Sequence, residues 1–249
     1  MTAELEKIGL DAVDKFITTW NSRDPVAWAG SLNFPHVRPA PRGPILVAAD
    51  ADEYVSRVDF DKVVASGWDH SEWDYKQVLH TSATKIHVVG QWSRYNAEGE
   101  KILTNPVVYI VTNDDTGWGV QSRFSADFPG DEDTSGMEAR SFKLIETWAL
   151  HITNGYRDAA SELVNYPFFE VEVGAIDGTP DASGYATSWS SITIDSMMSV
   201  QSGLQSINVA AELRIDDKPM QAVINVTLRD DHLGIQAISL LDPANRDQS

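Results

Sequence analysis

Leu32-Asn33-Phe34-Pro35-His36-Val37-Arg38 returns in the second half of the chain as Val164-Asn165-Tyr166-Pro167-Phe168-Phe169-Glu170. Further anchors recur in the same order. Trp68 through Asp74 runs parallel to Trp189 through Asp195, and the same offset carries Lys85-Ile86-His87-Val88 onto Ser206-Ile207-Asn208-Val209. Val111 through Gln121 then pairs with Val226 through Gln236. Several anchors in one order mark an internal duplication, and a repeat decides the architecture before any single element does.

Each copy reads as helices followed by strands. Leu5, Ile8, Ala12, Val13, Phe16, Ile17 and Trp20 recur at helical spacing. Asp24-Pro25 supplies a cap and a first-turn proline for a short second helix, and Asp50-Ala51-Asp52-Glu53 starts a third. A short strand follows near Pro35–Pro39. The alternating segments from Trp73 to Phe124 predict four antiparallel strands, with hairpin turns at 96–99 and 114–117. The second copy repeats this with a helix over 141–153, a strand near Pro167–Val173 and strands from Ile192 to Leu241. Asp127 through Gly136 is acidic, carries Pro and Gly, and reads as a connection. The expected division is therefore a first domain over 1–127, an acidic linker over 128–140 and a second domain over 141–249. Helices first and a long antiparallel sheet after is an α+β plan.

Composition removes several functions. The 249 residues carry 19 Lys+Arg against 37 Asp+Glu, a net charge of −18. Such a surface argues against nucleic acid and against anionic membranes. There is no cysteine, hence no disulfide, thiolate metal site or thiol nucleophile. No apolar run approaches the roughly 20 residues of a membrane-spanning helix. The first residues hold acidic groups and no signal-like apolar core. A soluble, cytoplasmic protein is the expectation. No Gly-rich phosphate loop, Gly-x-Ser-x-Gly elbow or metal-ligand spacing occurs, so neither cofactor nor metal is expected.

The order of elements resembles the nuclear-transport-factor-2-like superfamily, a cystatin-like α+β cone that includes ketosteroid isomerase, scytalone dehydratase and polyketide cyclases. The first copy resembles an uncharacterised bacterial branch through Asn33 to Arg38, Gly67-Trp68-Asp69-His70-Ser71-Glu72-Trp73, Lys85-Ile86-His87, Arg94-Tyr95 and Trp118 to Arg123. The second copy shares the scaffold only. The resemblance implies an apolar pocket between helices and the inner sheet face. It also implies that the outer faces of the two copies pack as an internal pseudo-dimer, which could pair again as a homodimer. The catalytic Tyr and Asp pattern of ketosteroid isomerase is not recognisable here, and the superfamily hosts enzymes and non-enzymes alike.

Differences between matched positions point to a site. Ile207, Val209, Ala211, Leu213 and Ile215 share one strand face, and their counterparts are Ile86, Val88, Gly90, Trp92 and Arg94. Likewise Ile224 matches Tyr109, Ile238 matches Arg123, Phe168 matches His36, Ile194 matches Trp73, Ser191 matches His70 and Glu170 matches Arg38. The first copy thus holds cations and aromatics where the second mostly holds apolar filler. A buried cation needs a carboxylate or an anionic ligand. Arg38, Arg94 and Arg123 are candidate anion binders, Trp73 and Trp92 candidate walls, and Tyr109 a candidate hydrogen-bond donor. His36 and His70 are candidate acid–base groups. Plainer roles stand beside these. Arg94 could snorkel to water, Arg123 could pair with Asp69 or Asp74, and the aromatics could be ordinary core. His80 and His87 fall on the opposite sheet face, where domain packing is expected.

Three functions fit. The first is cofactor-independent lyase, dehydratase or isomerase chemistry on a small, partly apolar substrate with an anionic or enolisable group. The second is a non-catalytic protein that binds a small molecule in the same hydrophobic pocket. The third is a structural or interaction unit whose pockets are filled by its own side chains, Trp20, Trp28 or Trp148 among them.

Overall fold

The computed structural model describes residues 2–246. The first domain opens with α1 (Thr2–Asn21), α2 (Pro25–Ala29), strands β1 (Leu32–Arg38) and β2 (Leu46–Ala48), then α3 (Ala51–Ser56) and α4 (Phe60–Ala65). Four long strands complete it: β3 (His70–Thr81), β4 (Lys85–Tyr95), β5 (Lys101–Asp114) and β6 (Gly117–Ser125). The second domain has α5 (Ser135–Thr153), α6 (Arg157–Ser161), β7 (Val164–Glu172), β8 (Ala175–Thr179), β9 (Ile192–Ser202), β10 (Ser206–Ile215), β11 (Lys218–Arg229) and β12 (His232–Leu241). Both sheets have six strands in one order, β2-β1-β6-β5-β4-β3 and β8-β7-β12-β11-β10-β9. The chain is a tandem duplication of one α+β fold.

Local chemistry explains the starts of the short helices. The Asp24 carboxylate accepts from Val26 and Ala27 N–H, at 2.9 and 3.1 Å, and Asp50 accepts from Glu53 N–H at 2.8 Å. Asp59 does the same for α4 through Lys62 N–H at 2.9 Å, a helix that hydrophobic spacing alone does not reveal. Two expectations need correction. Helix α5 begins at Ser135, not 141, because Met137 packs into the core and draws the first turn down onto the domain. The second domain also has no counterpart of α3 and α4 among the described residues. A 3-10 turn at Ala182–Gly184 stands in their place, and its Tyr185 packs on Phe168.

In each sheet every neighbour is antiparallel except one: β1 runs parallel to β6, and β7 to β12. A parallel neighbour cannot be held by a hairpin. The repeated asparagine holds it. Asn33 Nδ2 donates to Thr112 O (2.8 Å), Thr112 Oγ1 (3.1 Å) and Gly117 O (3.0 Å), spanning the β5–β6 hairpin. Asn165 Nδ2 repeats this on Thr227 O (2.7 Å), Thr227 Oγ1 (2.9 Å) and Gly234 O (3.3 Å). Glycine is needed opposite, since a Cβ at Gly119 would lie 2.2 Å from Asn33 Oδ1.

Helices cover one face of each sheet, around Phe16, Val88, Tyr109 and Val120 in the first domain and Trp148, Val209, Ile224 and Ile235 in the second. The other two faces pack on each other through Val37, Val89, Val108, Ile110 and Phe124 against Phe169, Val171, Val223 and Ala237. Polar groups buried there are satisfied across the interface. Gln201 Nε2 donates to Gly90 O and Val107 O at 2.6 and 3.1 Å, and Asn208 Nδ2 to Phe124 O at 2.7 Å. Lys85 Nζ donates to Val171 O and Leu240 O at 2.6 and 2.7 Å. No helix among the described residues is long and apolar enough to cross a membrane.

Replacing Asn33 by Ala strands the buried Thr112 carbonyl and the half-buried Gly117 carbonyl, so N33A is expected to lose about 2 kcal/mol of unfolding free energy in urea titration. N165A is expected to cost the same, whereas loss from one domain only would show that the two amides are not equivalent.

Candidate functional site

A cavity of about 150 Å³ lies in the first domain between the helices and the inner sheet face. Helix α1 contributes Phe16, Ile17 and Trp20, and α2 contributes Trp28. The sheet contributes Arg38 from β1, Trp92 and Arg94 from β4, Leu103 and Asn105 from β5, and Arg123 and Ser125 from β6. Strand alternation explains the set: Trp92 and Arg94, Leu103 and Asn105, and Arg123 and Ser125 are each two residues apart and so share a face.

The three arginines meet at this cavity without a counter-charge among the described residues. Arg123 is 6% exposed, and its Nη2 donates to Tyr54 OH at 3.1 Å. Its guanidinium carbon lies 4.8 Å from the Phe16 ring centroid and 5.6 Å from that of Trp28. Arg94 sits 5.1 Å from the Trp20 ring and 5.6 Å from the Trp92 ring. Aromatic faces favour cations, but they do not neutralise them. Burial, and then the charge of Arg123, bring Arg38 down to about 10 and hold Arg94 below its ordinary value. The carboxylates near in sequence are engaged elsewhere. Asp69 bonds Arg23 and His70, and Asp74 bonds Lys101, Ser93 and Gln91. Arg123 therefore pairs with neither.

The other candidate residues are dispersed. His70 is a correction: it lies at the exposed start of β3, stacked on Tyr95 with ring centroids 5.3 Å apart and bonded to Asp69 at 3.0 Å. It does not line the cavity, because the inward turn of that segment is taken by Ser71, which accepts from Trp68 Nε1 at 3.0 Å. Tyr109 and Trp73 are core neighbours, 5.7 Å apart, and neither lines the cavity. Gly90 makes room for Trp73, since a Cβ there would come within 2.8 Å of the Trp73 ring. His36 is fully buried against Tyr54, with Nδ1 3.1 Å from Val120 O. Burial, then Arg123, hold its pKa well below the ordinary imidazole value. His80 and His87 lie at the domain interface, Nδ1 to Nδ1 at 3.0 Å, with His87 Nε2 3.0 Å from Ser239 Oγ. No group of three or more His, Asp or Glu placed to hold a metal occurs among the described residues.

Residues 10–127 match the family model described as NTF2-like protein (DUF6841). The first domain is NTF2-like. The second repeats its strand order and parallel pairing. No curated protein matches the chain. Among solved structures, a ketosteroid isomerase-like protein from Erwinia carotovora atroseptica is 19% identical, covering 52% of this chain and 100% of its own at a TM-score of 0.40. A cystatin-like domain of unknown function from Nostoc punctiforme is 16% identical over 55% of this chain and 91% of its own, TM-score 0.40. An NTF-2 like protein of unknown function from Shewanella oneidensis is 17% identical over 49% and 98%, TM-score 0.39.

Sequence reasoning missed Tyr54, Asn105 and Ser125, and set Trp20 and Trp28 aside as possible filler. A signal existed for two of them. At the second-domain counterparts of Asn105 and Ser125 stand Met220 and Leu240, the same polar-to-apolar exchange seen between Arg123 and Ile238. Trp28 is matched by Ala160 and Trp20 by Ile152, while Trp148 and Tyr185 fill the second interior with a 2.7 Å hydrogen bond. The NTF2-like fold thus closes in this chain both with and without a cationic cavity.

Buried groups make stability pH-dependent. His36 and His87 are held neutral when folded, chiefly by burial, while unfolded imidazoles take up protons below pH about 6.5. Acid therefore favours the unfolded chain at both positions. Glu170 acts in the opposite sense: burial, then Glu172 and Asp177, raise it from 4.5 to about 7, so the folded form keeps a proton that the unfolded form has lost. Two groups against one leave a net loss of up to about 1.4 kcal/mol per pH unit between pH 6 and 5. E170Q removes the opposing group and should steepen that loss in urea titrations at the two pH values.

Proposed function

We propose that the first domain is a binding domain for a small organic anion. The observation that carries this reading is the convergence of Arg38, Arg94 and Arg123 on one aromatic cavity with no carboxylate among the described lining residues. Burying a cation without a partner costs several kcal/mol. The fold does not require that cost, since the second domain closes with Ile215 and Ile238 at the places of Arg94 and Arg123. A cost borne in one copy and absent in the other supports a ligand as its cause. In this reading Arg123 is the deep anchor and Arg38 and Arg94, both partly buried, stand nearer the mouth. The indole and phenyl walls take the apolar part of the ligand. The second domain serves as the packing partner of the outer sheet face.

One observation favours the catalytic alternative of lyase, dehydratase or isomerase type. With Nδ1–H given to Val120 O, His36 Nε2 carries the lone pair, and this buried atom has no partner beside Arg38 and Arg123. A general base must reach the proton that it removes. His36 is not part of the cavity wall, and no histidine, aspartate or glutamate among the described residues lines it. Binding is thus the better-supported reading.

Arg123→Ile copies the second domain's solution. The variant is expected to fold at least as stably as the parent, because an unpaired buried charge is replaced by an apolar side chain. It should lose the thermal stabilisation and the calorimetric signal that benzoate gives the parent protein. A variant that still responds to benzoate as the parent does would overturn the proposal.

A further inference from the structure

We propose that the ligand of this cavity is a dianion, a small organic acid whose two negative charges sit on an apolar body about the size of a benzene ring. Its premise is the anion-binding reading above. Three features of the cavity lead to it.

The first is the donor count. Four buried N–H groups on lining residues have no acceptor among the described residues: Nε1 of Trp20 and Trp28, and Nε of Arg94 and Arg123. Indole and guanidinium donate and never accept. One carboxylate offers about four lone-pair positions. The outer guanidinium nitrogens of the three arginines add further donors. The four buried N–H groups alone use up one carboxylate, so the outer nitrogens call for further acceptors, which a second carboxylate or the three terminal oxygens of a phosphate supply.

The second is the charge count. A monoanion leaves two of the three guanidiniums uncompensated. A dianion leaves one, and Arg38 and Arg94 are both partly buried, so the remaining charge can fall where water reaches it. The deepest, Arg123, is the one that most needs a partner.

The third is size and wall chemistry. A cavity of 150 Å³ lined by apolar side chains is large enough for benzene, and this one has about that volume. Its apolar wall is Ile17 and the rings of Phe16, Trp20, Trp28 and Trp92, whose flat surfaces suit a ring or a short planar chain.

The experiment is isothermal titration calorimetry of the full chain at pH 8 with benzoate, isophthalate and phenyl phosphate. All three carry one ring, but benzoate has one charge and the others two. At least one dianion is expected to bind tenfold or more tightly than benzoate. Preference for isophthalate assigns two separated carboxylates, and preference for phenyl phosphate assigns one doubly charged group. Arg94→Gln should shrink that preference to threefold or less, because it weakens the dianion more than it weakens benzoate. Benzoate binding as tightly as both dianions would overturn the dianion proposal and leave the anion site standing. Binding of none of the three would overturn both.

Discussion

Both domains depend on a side-chain amide that reinforces a short, irregular parallel backbone ladder. The strand carrying the Asn-aromatic-Pro motif joins its sheet next to the last strand and parallel to it, where no hairpin can set its position. Asn33 and Asn165 solve this by donating to both arms of the adjacent hairpin, and Gly119 and Gly234 leave the space that the amide needs. With the motif anchored, period-two alternation sets the direction of each later side chain on the strand. In the first domain His36 and Arg38 turn inward and Val37 turns to the partner domain. The cavity's Arg38 is thus positioned by an asparagine five residues away.

The two copies form an internal comparison. They share strand order, parallel pairing and the asparagine anchor, yet one gathers three arginines at its cavity, while the other has Ile215 and Ile238 at two of those places and Glu170, raised by burial to about 7, at the third. Stability alone favours the second arrangement, because apolar burial contributes about 25 cal/mol per Å² while an unpaired buried charge costs several kcal/mol. Aromatic faces of Phe16, Trp20, Trp28 and Trp92 recover part of that cost for Arg94 and Arg123. The imbalance that remains is what a bound anion would relieve.

The sheet faces turned away from the helices join the copies into one body. Their contact is apolar at the centre and closed by amides and one ammonium that reach carbonyls of the other domain. Lys85 and Gln201 reach these carbonyls only when the partner domain is docked, whereas Asn208 also donates to Gln201 Oε1 at 2.8 Å within its own domain. An opened interface would leave Lys85, Gln201 and Asn208 without these acceptors, so this face serves packing, and the proposed ligand site lies in the helix-covered interior.

Much of this was legible in the residue order. Repetition of Asn33, Trp68 and Gly119 at Asn165, Trp189 and Gly234 identified the duplication, and alternation along the strands placed Trp92, Arg94 and Arg123 on the inner face. Local capping chemistry marked α2 and α3. These features are encoded locally, by spacing and by short-range hydrogen bonds. Convergence was decided only in three dimensions. His70 sits in a sequence pattern as suggestive as that of Arg38, yet a turn of the chain before β3 leaves it at the surface beside Asp69. Tyr109 and Trp73 lie on the expected face and still stop short of the cavity, because Phe16 and the gap over Gly90 take up their rings. Trp20 and Trp28 look like filler in the sequence and become walls once α1 and α2 dock. The sequence by itself determined which residues share a face, since a strand repeats every two residues. How far each side chain reaches, and whether a cation meets a carboxylate or an empty space, was decided by the tertiary structure, because it depends on neighbours brought in from distant parts of the chain.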